Sequence, residues 1–319
     1  MNILVTGGAG FIGSHVAEGY LQQGHRVAVV DDLSTGSRDN LPEGVLFYHE
    51  DIRSREIERI FKYERPAVLN HHAAQANVPI SVSDPVRDAD INIGGFLNLL
   101  ETAVRQGVSK IIFISSGGAV YGEAAEYPTT EACTPQPLSP YAVAKYASEH
   151  YLGFYRRQYG MDFTVLRYAN IYGPRQVPHG EAGVVAIFMN NLLSGRPSVL
   201  NHFPDDQDGM VRDYTYVGDV VEANLSALER GGGEVLNIGT GVGTKTAELY
   251  RLVFETARSM RPTIPDSLDL LEPRAARPGD IMRSCLRVER AARVLGWRPG
   301  TSLNKGIHKT LQWRTGQSY

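Results

Sequence analysis

The chain has 319 residues, 42% of them hydrophobic and 21% charged, with 32 basic against 35 acidic side chains for a formal net charge of −3. A chain of this size buries about three quarters of its unfolded surface and needs neither disulfides nor a metal to hold a core. The composition excludes a disordered chain, and the near-balanced charge argues against a broad nucleic-acid or membrane surface, which needs a basic face.

Two cysteines, Cys133 and Cys285, are too few for a disulfide framework or a cysteine metal cluster and read as buried or half-buried thiols. No basic stretch at the N-terminus leads into an apolar run and a cleavage site. Apolar runs stay well short of the ~20 residues of a membrane span. The expectation is a soluble, cytoplasmic protein.

The chain opens on an apolar run, Ile3 to Thr6, with the β-branched content of a buried strand. Gly7-Gly8-Ala9-Gly10-Phe11-Ile12-Gly13 follows, then a helical stretch to about Gln23 with Ile12, Val16 and Tyr20 on one face. The next strand, Arg26 to Val30, ends at Asp31-Asp32. Further strand-like runs are Ala67–Leu69, Lys110–Ile114, Phe163–Leu166 and Val235–Ile238, and helices are expected over 54–62, 84–106, 140–158 and 246–259. Alternation of this kind predicts an α/β fold built on a doubly wound parallel (Rossmann) sheet. Segments 176–183, 201–213 and 261–280, rich in Pro, Gly and Asp, read as loops. The expected division is a dinucleotide-binding domain over 1–170 and a smaller substrate domain over 171–319. The two interleave, because 235–238 reads as a strand returning to the first sheet. No internal repeat or low-complexity tract is visible.

Gly7, Gly10 and Gly13 sit between the first strand and the first helix, where a tight turn lets backbone amides at a helix N-terminus approach a pyrophosphate. Asp31 closes the second strand, where a carboxylate hydrogen-bonds an adenosine ribose and repels a 2′-phosphate, favouring NAD over NADP. Arg38 nearby blurs that preference, and Asp31-Asp32 also fit a solvated turn after a strand. Tyr141 and Lys145, four apart after Ser139-Pro140, share one helix face. A free phenol with a pKa near ~10 is a poor base at neutral pH, and an adjacent ammonium favours its phenolate. His71-His72 could suggest a metal site, but with no third ligand cluster in view it reads as a strand end beside the cofactor, and no metal is expected.

Thr6-Gly7-Gly8-Ala9-Gly10-Phe11-Ile12-Gly13, Asp31, Tyr141-Ala-Val-Ala-Lys145 and Arg167-Tyr-Ala-Asn170-Ile-Tyr-Gly173-Pro-Arg175 together resemble an extended short-chain dehydrogenase/reductase. Within that group the chain is most similar to the NAD-dependent nucleotide-sugar epimerases, in particular short bacterial UDP-glucose 4-epimerases. The resemblance extends through Val211-Arg212-Asp213-Tyr214, Asn237-Ile238-Gly239-Thr240-Gly241, Arg277-Pro278-Gly279-Asp280 and Gly296-Trp297.

It implies NAD held by Gly7, Gly10, Phe11, Ile12, Gly13, Asp31 and Asp32, with Asp51 and Ile52 at the adenine. Ala73, Ala74 and Asn92 would line the dinucleotide, and Lys145 would bind the nicotinamide ribose while tuning Tyr141. Tyr141 would be the base for the sugar 4-hydroxyl. Asn170, Arg212 and Arg277 would grip the substrate diphosphate, and Asp280 the uridine ribose. Ser284 stands where hexose-restricted relatives carry a tyrosine, which implies room for an N-acetyl group. One departure concerns the hydroxyl that usually polarises the sugar: Gly117 occupies its position, and Ser116, one residue earlier, substitutes.

The implied reaction is reversible C4 epimerisation of UDP-glucose and UDP-galactose through a 4-keto intermediate. UDP-N-acetylglucosamine and UDP-glucuronate 4-epimerisation are alternatives. A dehydratase would be expected to carry an acidic pair near Gly118-Ala119 and a UDP-glucuronate decarboxylase a glutamate at Ala119; neither is present. A non-catalytic NAD-binding scaffold would usually lose Tyr141 or Lys145. The resemblance also implies a homodimer formed through 84–106 and 140–158.

Overall fold

The computed structural model describes residues 1–178, 183–276 and 280–316. In chain order the elements begin β1 (Asn2–Thr6), α1 (Phe11–Gln22), β2 (Arg26–Asp31), β3 (Leu46–His49), α2 (Glu56–Glu64) and β4 (Val68–His71). Next come α3 (Val78–Ser83), α4 (Pro85–Ala89), a π-helical turn (Asp90–Gly95), α5 (Phe96–Gln106), β5 (Lys110–Ser116), α6 (Gly117–Val120) and α7 (Pro140–Tyr159). The remainder is β6 (Asp162–Tyr168), β7 (Asn170–Tyr172), α8 (Val184–Leu193), β8 (Ser198–His202), β9 (Val211–Tyr216), α9 (Val217–Ala227), β10 (Glu234–Ile238) and β11 (Gly243–Lys245). It ends with α10 (Thr246–Met260), β12 (Leu271–Ala275), β13 (Arg283–Ser284), α11 (Glu289–Leu295) and α12 (Leu303–Arg314).

The main sheet has seven strands in the order β10-β6-β5-β4-β1-β2-β3, and every pair in it is parallel. Strands of this kind are covered on both faces and read as unbroken apolar runs, as Ile3–Val5 and Ile111–Ile114 do. One face packs on α1, α9 and α11 through Val16, Tyr20, Val220, Ala223 and Leu295. The other packs on α2, α5 and α7 through Phe61, Leu99, Leu100 and Leu152. The strand order reverses between β1 and β4, and ligands of such sheets bind outside the carboxyl ends at that crevice.

β10 returns to the main sheet beside β6, with Leu236 opposite Leu166. A second, small sheet carries β7, β11 and β13 around β9, and α8, α10 and α12 pack beside it on Phe188, Tyr250, Val253 and Leu311. β8 and β12 form a separate parallel pair.

Two expectations, on the ranges 201–213 and 261–280, are corrected here. The segment 84–106 is helical without a break from Pro85 to Gln106, with a π turn between α4 and α5. Gly94 and Gly95 lie in that turn, and a Cβ at Gly95 would stand 2.7 Å from Ile52 Cδ1. The wider turn brings Asn92 inward, where its amide bonds the Gln75 backbone and Asp88. The ranges 201–213 and 261–280 are not loops throughout, because β8 and β9 reach into the first and β12 occupies part of the second. Short two- to six-residue strands in polar surroundings leave little periodic signal.

Behind the carboxyl end of the sheet, Arg167 of β6 lies bidentate on Glu149 of α7, both side chains only 5% exposed. Arg167 Nη1 also donates to the Tyr121 hydroxyl at 2.7 Å, and Ser115 Oγ donates to Glu149 Oε1 at 2.6 Å. Removing one member of a buried pair strands the other charge, whereas replacing both with apolar groups avoids that penalty. Arg167→Met is therefore expected to lower unfolding stability in urea by about 3–5 kcal/mol. The double change Glu149→Leu/Arg167→Met should recover most of that loss.

Candidate active site

The turn after β1 is a close-packed cradle. Gly7 has φ +68°, and a Cβ there would lie 2.5 Å from the Ala73 nitrogen. One on Gly13 would lie 2.3 Å from the Gly7 carbonyl oxygen. Only glycine lets these backbones approach and leaves the helix N-terminus open to an anion. Gly10 caps α1, whose first residues are Phe11 and Ile12. Phe11 sits against Gly173, and Ile12 packs against two of the cores. Ala73 and Ala74 follow β4 on the other wall of the same crevice, so β1 and β4 bring the glycines and alanines together.

Asp31 is buried at the end of β2, where its carboxylate accepts the Ala9 amide at 2.9 Å and the Leu33 amide at 2.8 Å. Burial raises its pKa while those two amides lower it. The same carboxylate thus shapes the glycine turn. Asp32 is exposed, and its carboxylate accepts the Ser34 amide and hydroxyl, closing a turn. Asp51 is bound by Arg53, whose guanidinium holds its pKa below the usual range. Ile52 is buried against Gly95. Asn92 commits its amide to Gln75 and Asp88, so its place in the site is to brace the segment that follows Ala74.

Ser139 caps α7 by accepting the Ala142 amide, with Pro140 in the first turn. That start sets the helix so that Tyr141 and Lys145 face the carboxyl end of β5. The Lys145 ammonium donates to the Ile114 carbonyl at 2.9 Å and lies 4.9 Å from the Phe113 ring centre and 6.0 Å from that of Tyr141. Burial brings its pKa down to about 8, against the pull of Asp88 and Glu149. The Tyr141 phenol is pushed up to about 12, by burial first, while a hydrogen bond with Ser116 lowers it and Asp88 raises it.

The absence of a hydroxyl at Gly117 has a steric cause: a Cβ there would lie 2.5 Å from Leu286 Cδ1 and 3.3 Å from the Arg167 carbonyl oxygen. Ser116, at the end of β5, is the hydroxyl left within reach of Tyr141.

The small sheet supplies the facing wall. β9 pairs Arg212 with Ser284 of β13 and with Thr244 of β11, and pairs Tyr214 with Asn170 of β7. The Arg212 guanidinium donates to the Val211 carbonyl, and burial disfavours its charge while Tyr214, Asp280 and Glu123 favour it. A cation so placed favours an anionic ligand. Asn170 Oδ1 lies over Gly118. Arg277 lies outside the described residues.

His71 bonds Thr6 Oγ1 at 2.7 Å and stacks on Phe96, and burial lowers the pKa of both His71 and His72. Among the described residues, no group of three or more His, Cys, Asp or Glu could hold a metal ion. Sequence reasoning passed over Asp88, Gln75, Glu149 and Arg167. The burial of a polar side chain leaves no local signal, whether it lies in a helix as Asp88 and Glu149 do, in β6 as Arg167 does or in the stretch after β4 as Gln75 does, although Asp84-Pro85 marks where α4 begins.

Residues 3–239 match the family model described as NAD dependent epimerase/dehydratase family. The UDP-glucose 4-epimerase of Mycolicibacterium smegmatis is 44% identical over 319 residues, covering 98% of both chains. The solved structure of UDP-glucose 4-epimerase with UDP-glucose from Thermotoga maritima is 48% identical, covers 99% of each chain and superposes with a TM-score of 0.92. That of the Thermus thermophilus UDP-glucose 4-epimerase in complex with NAD is 45% identical, with 99% coverage of each chain and a TM-score of 0.90. The chain belongs to the NAD dependent epimerase/dehydratase family, and NAD is its cofactor.

Proposed function

We propose that this protein interconverts UDP-glucose and UDP-galactose by inverting C4 through a transient 4-keto sugar. The observation that carries the reading is the contact of Ser116 with Tyr141, one helical turn before Lys145, at the carboxyl end of β5 beside the glycine cradle. Gly118 and Ala119 supply no ionisable group, so elimination of water or decarboxylation lacks its acid–base partner there.

Tyr141 takes the 4-hydroxyl proton as the phenolate, the form favoured by the positive charge of Lys145 and of the bound cofactor's ring, with Ser116 fixing the hydroxyl and the phenolate oxygen in line. The bound NAD would supply a hydride acceptor and donor at C4, so that the reaction has no net redox change. Lys145, held by the Ile114 carbonyl, keeps a positive charge below the sheet edge and binds the cofactor's ribose. Arg212, Arg277 and Asn170 grip the diphosphate and Asp280 the uridine ribose, leaving the sugar free to turn. Rotation of the keto sugar presents its other face, and Tyr141 gives the proton back. Tyr141→Phe should lower turnover at least ~10²-fold while NAD affinity, measured by titration, stays within about threefold of the parent. Ser116→Ala should cost less, since it removes only an orienting hydrogen bond.

A second reading concerns the sugar. Ser284 is small and half-buried opposite Arg212, which supports tolerance of an N-acetyl group at C2. Discrimination by one pocket contact is ordinarily ~1–3 kcal/mol. Ser284→Tyr is thus expected to depress activity on UDP-N-acetylglucosamine about tenfold or more relative to UDP-glucose. Equal losses on the two substrates would remove Ser284 as the gate.

The assembly we propose is a homodimer. Val82, Val86 and Leu138 are 62%, 79% and 59% exposed, and Val143, Tyr151 and Phe154 form an exposed apolar stripe along α7 beside them. Such a patch on packed helices suits a second copy of the same face. Sedimentation at micromolar concentration should give about twice the 35.1 kDa chain mass, and Val86→Glu/Phe154→Glu should shift it to the monomer. Among the described residues no helix is long and apolar enough to cross a membrane, which together with two free thiols supports a cytoplasmic location.

A further inference from the structure

Asp88 has no place in the reaction as described, yet it is 1% exposed. Its Oδ1 accepts Gln75 Nε2 at 2.9 Å and Asn92 Nδ2 at 3.0 Å. Its Oδ2 is buried without a hydrogen-bond partner, and among the described residues it forms no ion pair. A carboxylate in that state is costly unless a positive charge lies within reach. α4, which carries Asp88, packs directly on α7, which carries Tyr141 and Lys145.

The charged and titratable groups facing Lys145 can be named element by element. From β5 come only the Ile114 carbonyl and the Phe113 ring. From the end of β4 come His71 and His72, both held neutral by burial. From α7 come Tyr141 and Glu149, and Glu149 is already neutralised by the bidentate Arg167 of β6. From α4 comes Asp88, whose negative charge acts on Lys145 more strongly than that of Glu149.

We infer that Asp88 is a positioning residue whose buried carboxylate supplies the counter-charge that keeps Lys145 an ammonium beside Tyr141. The two charges do not touch. Gln75 and Asn92 hold the carboxylate by one oxygen, and the other is left to act through a low-dielectric interior, where fields reach further than in water. The arrangement has a cost at Tyr141, since the same negative charge raises the phenol. The role rests on the epimerase reading above.

The sign of the effect is fixed. A carboxylate favours the protonated lysine, so removing its charge moves the Lys145 titration to lower pH, and the Tyr141 titration moves the same way. The informative substitution is Asp88→Asn, which keeps an acceptor for Gln75 and Asn92 and removes only the charge. The NAD-loaded protein, with lysines labelled at Cε, is titrated by NMR from pH 6 to 11. The chain has six lysines, Lys62, Lys110, Lys145, Lys245, Lys305 and Lys309, and Lys145→Met assigns the signal. The pH profile of kcat on UDP-glucose is measured in parallel.

We expect the Lys145 titration and the alkaline limb of kcat to move down together by about one pH unit or more. A lowered kcat with both titrations unmoved would assign Asp88 a merely structural role and overturn the inference. Should the asparagine variant fail to fold, Asp88→Ala carries the same expectation for Lys145. A parent enzyme inactive on UDP-sugars would sink the epimerase reading, while the Lys145 titration would still decide the placement of charge.

Discussion

The placement of Tyr141 and Lys145 depends on a charge pair buried behind them. Glu149 and Arg167 lie buried behind the carboxyl ends of β5 and β6, and through them one helix and two strands share a single set of hydrogen bonds. Tyr121 bonds both Arg167 and Asn237, and Asn237 in turn bonds Thr129, Arg287 and Glu131. The pair therefore fixes how α7 lies on the sheet, and that fixes Tyr141 and Lys145. Ser115, clamped by Glu149, sets the backbone from which Ser116 projects. In a low dielectric such a network tolerates few alternative arrangements, so it specifies geometry even where it adds little net stability.

The reacting groups are held against their own charge. Burial raises the phenol of Tyr141, lowers the ammonium of Lys145 and disfavours the guanidinium of Arg212. Water would favour all three ions, and the fold withholds it. In such a setting an anion brought beside Arg212, or a cation brought beside Tyr141, would be felt strongly, because little water screens it.

How much of this was legible in the sequence differs by element. The parallel core was, because buried strands such as Ile111–Ile114 are continuous apolar runs and because glycines between strand and helix have few other uses. Tyr141 and Lys145 were visible by spacing, and Gly117 was visible as a departure. The steric reason for that departure was not, since it lies in Leu286, far along the chain. The π turn at Asp90–Gly95 was hidden for a related reason: helical periodicity reads the same across it until Asn92 is seen to face Gln75. Nothing in the sequence singles out Asp88, and only the packing of α4 on α7 buries it. Short strands such as β12 and β13 exist by pairing with distant partners, which no local pattern records.

The notch at Gly117 has a mechanical consequence. Leu286 fills the space that a side chain at 117 would take, and Leu286 follows Ser284 by two residues in the segment that runs beside Arg212. A ball seated in a socket transmits displacement in both directions, because close-packed interiors do not absorb it. Any shift of the strand that carries Ser284 is thereby felt at Ser116, whose backbone adjoins the socket. The positions of Ser284 and Ser116 are thus properties of one joint rather than of two separate residues.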